Sequence, residues 1–271
     1  MLTDTHCHLQ RIEALGENEA DMAVLAAQKE NVSRIVNVGL GPDDNEKVIE
    51  QASKHKEVYA AVGWHPLRKT KITEDELETI AQLSTNSKVV LIGEIGLDYF
   101  WRPGYNEVPI EIQRYNFREM LKLSAKVDKS VCVHVRESFE DVLEDLYAVP
   151  DAKGIIHSFI GNKKMADAFL ERGMYLSLSG PLTYPKNQEL RDAVKDVSIS
   201  RLLVETDAPY LPPQPWRGQK SRPAMVVETA KTLAEIQKLT LEEVAEFTSA
   251  NASAIFGLPL LEKTTTVQSL A

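Results

Sequence analysis

The chain has 271 residues, of which 43% are hydrophobic and 26% are charged, a composition typical of globular proteins. Its 31 Lys and Arg against 40 Asp and Glu give a net charge of −9, so the surface as a whole repels nucleic acids and anionic membranes. A polyanionic substrate must therefore be attracted locally or through bound metal. The sequence predicts no signal peptide, membrane span or disulfide framework, and we expect a cytoplasmic protein without a membrane partner.

Short runs rich in Val, Ile and Leu recur along the chain, and charged segments of helical periodicity separate them. They predict strands over Leu2–His6, Ile35–Gly39, Val58–Val62, Val89–Glu94, Ser130–His134, Gly154–His157, Met174–Ser179 and Leu202–Glu205. Runs this apolar are typical of parallel strands that are covered on both faces. Eight strand-helix units favour an α/β fold of the (β/α)8 TIM barrel type, although the strand count alone does not exclude a doubly wound open sheet.

The segments between the strands predict amphipathic helices. Ile112–Val127 is an example, because its apolar residues recur at helical spacing among Gln and Lys. A second group of residues predicts a solvated acidic helix face, namely Glu137, Glu140, Asp141, Glu144 and Asp145.

The carboxyl-terminal part of the chain predicts a capped helix. Thr240 with Glu243 three residues later matches a capping box, and Gly257 is a natural helix end. The chain shows no linker, so we expect a single barrel domain over residues 1–261. Residues 262–271 have little apolar surface to bury, and we expect this tail to fray.

The histidines are concentrated where predicted strands end. Only His55 lies on an apparent helix surface; the strand-end histidines are His6, His8, His65, His134 and His157. Because alternate residues of a strand face the same side, we expect Asp4, His6 and His8 to project together.

Two acidic residues follow the same distribution. Glu94 and Asp207 each end an apolar run, where a carboxylate is costly unless it is paired or binds a cation. Closure of a barrel brings these acids and four of the histidines, His6, His8, His134 and His157, to one mouth. Imidazole with carboxylate favours Zn, Mn, Fe or Co over Ca. Six ligands exceed the need of one tetrahedral ion, so we expect two divalent ions.

Six motifs, in this order, resemble those of the TatD family of metal-dependent deoxyribonucleases, within the amidohydrolase-type barrels. They are Asp4-Thr-His-Cys-His8, Gly63-Trp-His-Pro66, Ile92-Gly-Glu-Ile-Gly-Leu-Asp-Tyr99, Val133-His134, Ile156-His-Ser-Phe159 and Glu205-Thr-Asp-Ala-Pro-Tyr-Leu211. The resemblance implies a (β/α)8 barrel, a divalent-metal site for Mg, Mn or Zn, and hydrolysis of DNA, often from the 3′ end.

The same resemblance implies roles for individual residues. His6, His8 and Asp207 would hold one ion and His134 and His157 the other, with Glu94 bridging the two. Family members often have Arg-Asn-Glu-Pro after the eighth strand, where this chain has Gly218-Gln-Lys-Ser-Arg-Pro223. Because that loop borders the mouth, the family's substrate preference does not carry over directly.

The proposed chemistry is attack on phosphorus by a metal-activated water, with Asp207 accepting the proton. Basic and aromatic residues in the strand-end loops are typical of contacts to phosphates and unpaired bases. We expect single-stranded DNA ends to be the substrate, and we assign substrate contacts to His65, Trp101, Arg102, Arg136 and Arg217. The sequence assigns no oligomeric state.

Two other functions use the same residues. A metal-dependent ester or amide hydrolase, such as a D-aminoacyl-tRNA deacylase, needs a similar site. Some related amidases bridge their metals with a carbamylated lysine at the fourth strand, and Glu94 at that place points away from them without excluding esterases. A non-catalytic metal-binding scaffold is less favoured, because the ligand set is intact.

Overall fold

The computed structural model describes residues 1–261, and within them eight parallel strands pair in chain order. The strands are β1 (Leu2–Cys7), β2 (Val32–Val38), β3 (Val58–Val62), β4 (Val89–Asp98), β5 (Ser130–Arg136), β6 (Gly154–Ile156), β7 (Tyr175–Leu178) and β8 (Leu202–Val204). The first strand meets the chain beyond the last one. Cys7 forms a parallel bridge with Ala208, and the amide of His8 donates to the carbonyl of Ala208 at 2.7 Å. The predicted barrel is therefore confirmed, and an open doubly wound sheet is excluded.

Helices follow the strands and pack around the barrel. They are α1 (Leu9–Glu13), α2 (Glu19–Lys29), α3 (Pro42–Lys54), α4 (Glu74–Leu83), α5 (Ile110–Lys126), α6 (Phe139–Ala148), α7 (Lys163–Glu171), α8 (Gln188–Val194), α9 (Val226–Gln237) and α10 (Leu241–Phe256). The predicted helix at Ile112–Val127 corresponds to α5. Thr240 and Glu243 form the predicted capping box, and Gly257 ends α10 with a φ of 65°.

The apolar core has two layers. The larger layer lies between the strands and the surrounding helices. The smaller one fills the barrel interior with residues such as Val36, Leu91 and Leu203, and Phe256 of α10 packs against it. The hydroxyl of Ser130, the first residue of β5, donates to the carbonyl of Ile255 at 2.7 Å, so α10 covers the amino ends of the strands. Apolar packing at that end leaves the carboxyl ends of the strands as the place where polar groups gather.

Strand β4 is longer than predicted, because it continues past Glu94 to Asp98. Its second half pairs with β5, and the last pair joins Asp98 to Arg136. Gly93 and Gly96 permit this close approach, since a Cβ at either position would meet atoms of β5. Glu94 is thus held beside β5 inside a paired strand.

The prediction of a solvated acidic helix face was wrong for Asp145, while Asp141 is half-buried. Asp145 is fully buried, and Arg114 Nη2 and Arg118 Nε of α5 each donate to its Oδ1 at 2.6 Å. Asp141 accepts a hydrogen bond from the Tyr99 hydroxyl at 2.6 Å. Asp145 is buried because the arginines of the neighbouring helix pair with it, a contact that sequence periodicity does not reveal.

Two remaining predictions concern the ends of the chain and the membrane. The tail predicted to fray, residues 262–271, lies outside the described residues. Within residues 1–261, no helix combines the length and the apolar character that crossing a bilayer requires.

Candidate metal centre

Glu94 lies between two pairs of histidines at the carboxyl end of the barrel. Its Oε2 atom is 3.6 Å from Nε2 of His6 and 3.7 Å from Nε2 of His8. Its Oε1 atom is 2.7 Å from Nδ1 of His134 and 3.1 Å from Nε2 of His157. Within each pair the facing nitrogens are close, at 3.1 Å for His6 and His8 and 3.2 Å for His134 and His157. One carboxylate therefore faces four imidazoles that come from three other strand ends.

Asp207 lies on the side of the cluster that holds the first histidine pair, His6 and His8. Its Oδ1 is 3.7 Å from Nε2 of His6 and 3.5 Å from Nε2 of His8. The residue follows β8 with a φ of 56°, in the left-handed region that Asp tolerates better than most residues. Its amide donates to the carbonyl of His6 at 2.9 Å, so the closure of the barrel itself sets its position.

His65 lies on the other side of the cluster, on the segment after β3. Its Nε2 is 3.5 Å from Oε1 of Glu94, and its ring stands edge-on to that of His134 at 5.3 Å. The donor atoms of His65, Glu94 and His134 lie within 4.8 Å of one another. The predicted substrate contact thus lies among the predicted ligands.

The outward nitrogens of the first histidine pair contact the barrel wall. Nδ1 of His8 lies 2.8 Å from the carbonyl oxygen of Val38 on β2. Nδ1 of His6 lies 3.2 Å from the sulfur of Cys132 on β5. These contacts orient the rings so that both Nε2 atoms face the carboxylates, the arrangement that is usual around metal-binding histidines.

Carboxylates orient the second pair. Nδ1 of His157 lies 3.2 Å from Oε1 of Glu205, which also accepts from the amide of Ser158 at 2.9 Å. Nε2 of His134 lies 3.3 Å from Oδ2 of Asp98. Asp98 in turn accepts from the hydroxyl of Tyr105 at 3.0 Å. Each ring therefore has a carboxylate behind it and Glu94 in front.

Burial and neighbouring charges shift the pKa values of these side chains in different directions. Burial lowers the pKa of His6 and His65, and the other imidazoles near His6 lower its pKa further. Burial also opposes the charge of His157, but Glu94 and Glu205 outweigh it and raise the pKa of His157 well above its ordinary value. Burial would raise the pKa of Glu94 too, yet His157 and His65 bring that pKa well below its usual range. The site therefore favours an ionised carboxylate at its centre.

The donor set fits a divalent metal. Neutral imidazole nitrogens and carboxylate oxygens are the ligands that Zn and related ions prefer. Besides the triad of His65, Glu94 and His134, two further triads have donor atoms that lie within 4.8 Å of one another: His6, His8 and Asp207 form one, and His6, His157 and Glu205 form the other. Oε2 of the buried Glu205 has no hydrogen-bond partner among residues 1–261. A cation at this mouth would compensate such a buried oxygen.

The first strand departs from the alternation that the sequence suggested. The pairing of β1 with β2 is irregular between Asp4 and Cys7. The hydroxyl of Thr5 lies 2.8 Å from that of Ser177, two strands away across the interior. Asp4 accepts from the amide and hydroxyl of Thr206 and does not join the histidine pair. The expectation that Asp4 projects with His6 and His8 was wrong, because this irregularity changes which residues face inward.

The other predicted substrate contacts lie around the mouth. Trp101 and Arg102 are exposed on the loop after β4, and Arg217 is exposed on the loop after β8. Arg136 ends β5, with its guanidinium carbon 3.9 Å from the centre of the Phe100 ring. Arg136 also donates to the hydroxyl of Tyr105 at 2.9 Å and so reaches the cluster indirectly, through Tyr105 and Asp98. Within residues 1–261, no hydrogen bond, ion pair or ring contact joins Trp101, Arg102 or Arg217 to the histidines.

Sequence reasoning missed the residues that orient the histidines. Cys132 lies two residues before His134 on β5 and so shares its strand face, and Glu205 lies two residues before Asp207, directly after β8. Asp98 lies four residues after Glu94 on what proved to be the same strand. Strand alternation could have identified Cys132, and it could have identified Asp98 only if the end of β4 had been predicted correctly.

Comparison with known proteins agrees with this architecture. Residues 3–257 match the family described as TatD related DNase. Over 258 residues the chain is 36% identical to YabD, an uncharacterized metal-dependent hydrolase of Bacillus subtilis (strain 168), and the match covers 94% of this chain and 99% of the relative. It is 35% identical over 264 residues to TatD, an uncharacterized metal-dependent hydrolase of Mycobacterium tuberculosis, with 95% and 98% covered.

A solved structure gives the same result. The crystal structure of YjjV, a TatD homolog from Escherichia coli K12, superposes with a TM-score of 0.85 at 28% identity, covering 95% of this chain and 98% of that one. The matches extend over nearly the whole length of each protein, so they concern the complete barrel and not one motif. The chain therefore belongs to the TatD-related DNase family of metal-dependent hydrolases.

Proposed function

We propose that this protein is a deoxyribonuclease that uses two divalent ions to remove nucleotides from single-stranded 3′ ends of DNA. One observation carries the proposal: the two oxygens of Glu94 face two separate histidine pairs at the open end of the barrel, at 2.7–3.7 Å. Membership of a family described as DNases supports DNA as the substrate.

The cluster divides naturally between two ions. His6, His8 and Asp207 would hold one ion and His134 and His157 the other, while Glu94 has an oxygen for each. Divalent ions bound there would lower the pKa of water and neutralise charge on a phosphate group. The candidate ions are Mg, Mn and Zn.

We assign the role of proton acceptor to Asp207. Its side chain is 14% exposed and so reaches the mouth, where water and substrate enter. In the proposed reaction the oxygen of a water molecule forms a bond to phosphorus while the bond from phosphorus to the 3′ oxygen breaks. Asp207 accepts the proton of the attacking water, and the 3′ oxygen leaves and is protonated from solvent. The products are a nucleoside 5′-monophosphate and a strand shortened by one nucleotide.

The loops supply the remaining contacts in this proposal. Trp101 is 68% exposed and offers a free ring face on which an unpaired base can stack. Arg102, Arg136 and Arg217 would contact backbone phosphates. Local attraction of this kind is required because the chain carries a net charge of −9.

We also propose that residues 1–261 form one domain, since α10 from the end of the chain packs on β1 from its beginning, where the hydroxyl of Thr3 donates to that of Ser249 at 3.1 Å. Cys7 and Cys132 are both free and buried. Free thiols are typical of a reducing compartment, and we propose a cytoplasmic location.

The test uses single-stranded oligonucleotides labelled at the 5′ or the 3′ end, with Mg, Mn or Zn added to metal-free protein. Removal from the 3′ end predicts a ladder of 5′-labelled products and immediate release of the 3′ label as a mononucleotide. Blunt duplex of the same sequence is the matched substrate control, and the Glu94→Ala variant controls for contaminating nuclease. An internal cut of a circular single strand would contradict the exonuclease assignment.

The same preparation tests the alternatives. Hydrolysis of a D-aminoacyl ester by protein that leaves every oligonucleotide intact would identify an ester hydrolase. Absence of turnover on both substrate classes, with metal bound, would favour a binding scaffold.

A further inference from the structure

His65 differs from the other four histidines of the metal centre in what its outward nitrogen contacts. Its Nδ1 accepts a hydrogen bond from the backbone amide of Leu67 at 3.2 Å. A backbone amide can only donate, so Nδ1 of His65 must carry its lone pair. In the neutral ring the proton then lies on Nε2, the nitrogen that faces Glu94.

His8 shows the opposite arrangement. Its Nδ1 lies 2.8 Å from the carbonyl oxygen of Val38, which can only accept. His8 therefore carries a proton on Nδ1, and in the neutral ring, the form that binds a metal, the lone pair on Nε2 faces Glu94 and Asp207. His8 and His65 present Nε2 to the same carboxylate at 3.7 and 3.5 Å, but one presents a lone pair and the other a proton.

This difference determines what each ring can bind, because a metal ion needs the lone pair of an imidazole nitrogen. The geometry points to His65 as a hydrogen-bond donor to an anionic oxygen of the substrate, and not as a metal ligand, even though it shares a donor cluster with Glu94 and His134. That this oxygen belongs to a DNA phosphate rests on the proposed function. Which nitrogen of His65 carries the proton does not depend on it.

The donor faces Glu94 at a distance longer than a normal hydrogen bond. Nε2 of His65 makes an ion-pair contact with Oε1 of Glu94, and its 3.5 Å length exceeds that of a usual hydrogen bond, so a closer acceptor would bind this proton better. The side chain is 13% exposed, so the proton is accessible from the mouth. An oxygen atom of a bound ligand could therefore accept a hydrogen bond from Nε2 of His65.

The backbone around His65 holds the ring in place. The amide of His65 donates to the carbonyl of Leu40 at 3.3 Å, and its own carbonyl accepts from the amide of Arg68 at 3.0 Å. With the bond from Leu67, the ring is oriented before substrate arrives. Preorganised donors of this kind, where charge develops on an oxygen, account for about 10²- to 10³-fold in kcat.

The first experiment compares His65→Ala with His8→Ala. Metal content after dialysis against the same Zn concentration should stay at the wild-type level in His65→Ala and fall in His8→Ala. Inorganic phosphate should bind the Zn-loaded His65→Ala protein about ten-fold or more weakly than it binds wild type, measured by calorimetry. His65→Gln, which retains an amide donor, should recover part of that affinity. Loss of metal from His65→Ala equal to the loss from His8→Ala would overturn the inference.

A second measurement determines directly which nitrogen of each ring carries the proton. Long-range ¹⁵N–¹H NMR of the Zn-loaded protein should place the proton of His65 on Nε2 and that of His8 on Nδ1. A proton on Nδ1 of His65 would overturn the inference. Neither NMR nor metal content requires turnover, so protein that fails to cleave DNA but shows this tautomer would refute the proposed function and leave the role of His65 intact.

Discussion

Nδ1 of His157 lies 3.2 Å from Oε1 of Glu205, while Nε2 of the same ring lies 3.1 Å from Oε1 of Glu94. Two buried carboxylates thus hold one imidazole from opposite sides. Burial raises the pKa of Glu205, and the contact with His157 opposes that rise. A carboxylate behind a histidine sets its tautomer and increases its strength as a ligand.

Replacement of Glu205 should therefore weaken metal binding without removing a predicted primary ligand. We expect Glu205→Ala to lower the affinity for Zn by about 10- to 100-fold, measured by competition with a coloured chelator. Glu205→Gln keeps an acceptor oxygen for His157 and should lose less. Wild-type affinity in Glu205→Ala would show that His157 does not depend on this contact.

Glu94, the proposed bridging ligand, and Asp207, the proposed proton acceptor, should both be required for turnover. Glu94→Ala removes the group that faces both histidine pairs, and Asp207→Asn removes the proton acceptor while keeping a residue that tolerates a φ of 56°. We expect each variant to lose about 10²- to 10⁴-fold in kcat and to keep the wild-type circular dichroism spectrum. A wild-type rate in either variant would contradict the assigned role.

Metal binding should stabilise the folded protein. At an ion concentration 100 times Kd, binding to the native state contributes about 2.7 kcal/mol. For a chain of this size that corresponds to a rise in Tm of roughly 5–10 °C over the chelator-treated protein, measured by calorimetry. The control is Glu94→Ala, for which the rise should be much smaller. An unchanged Tm with two equivalents bound would contradict coupling of the site to the fold.

Asp145 should matter for stability and not for chemistry. It is buried and accepts from Arg114 and Arg118, so Asp145→Ala leaves two arginines without their shared partner. We expect a loss of about 3 kcal/mol in the free energy of unfolding, measured by urea denaturation. The control is Glu140→Gln on the exposed face of the same helix, with a change of under about 0.5 kcal/mol. Equal effects of the two substitutions would refute the pairing.

His55 should be dispensable for activity. Its Nε2 lies 2.7 Å from Oδ1 of Asp21, a carboxylate that is half exposed, and it is remote from the cluster. We expect His55→Ala to keep wild-type kcat and KM and to lose less than about 1 kcal/mol of stability. A large loss of activity would mean that the histidines do not divide as their positions indicate.

The barrel was predictable because each strand corresponds to a short apolar run that is visible in the local sequence. Val58–Val62 has the same bounds in sequence and structure, and the capping box at Thr240 needed only Glu243 three residues away. The end of β4 was not predictable, since residues beyond Glu94 extend the strand only because β5 pairs with them. Asp145 was placed at the surface for a similar reason, because its arginine partners lie on another helix.

The sequence by itself determined the order of the elements and the residue types that gather at the mouth. Strand periodicity, helix caps and the position of a histidine after an apolar run are properties of neighbouring residues. Only the tertiary structure decided how each imidazole is turned. The carbonyl of Val38 provides an acceptor for Nδ1 of His8, and the amide of Leu67 provides a donor to Nδ1 of His65. Glu205 reaches His157 from the end of another strand. Which nitrogen keeps its lone pair depends on partners that meet only when the barrel closes.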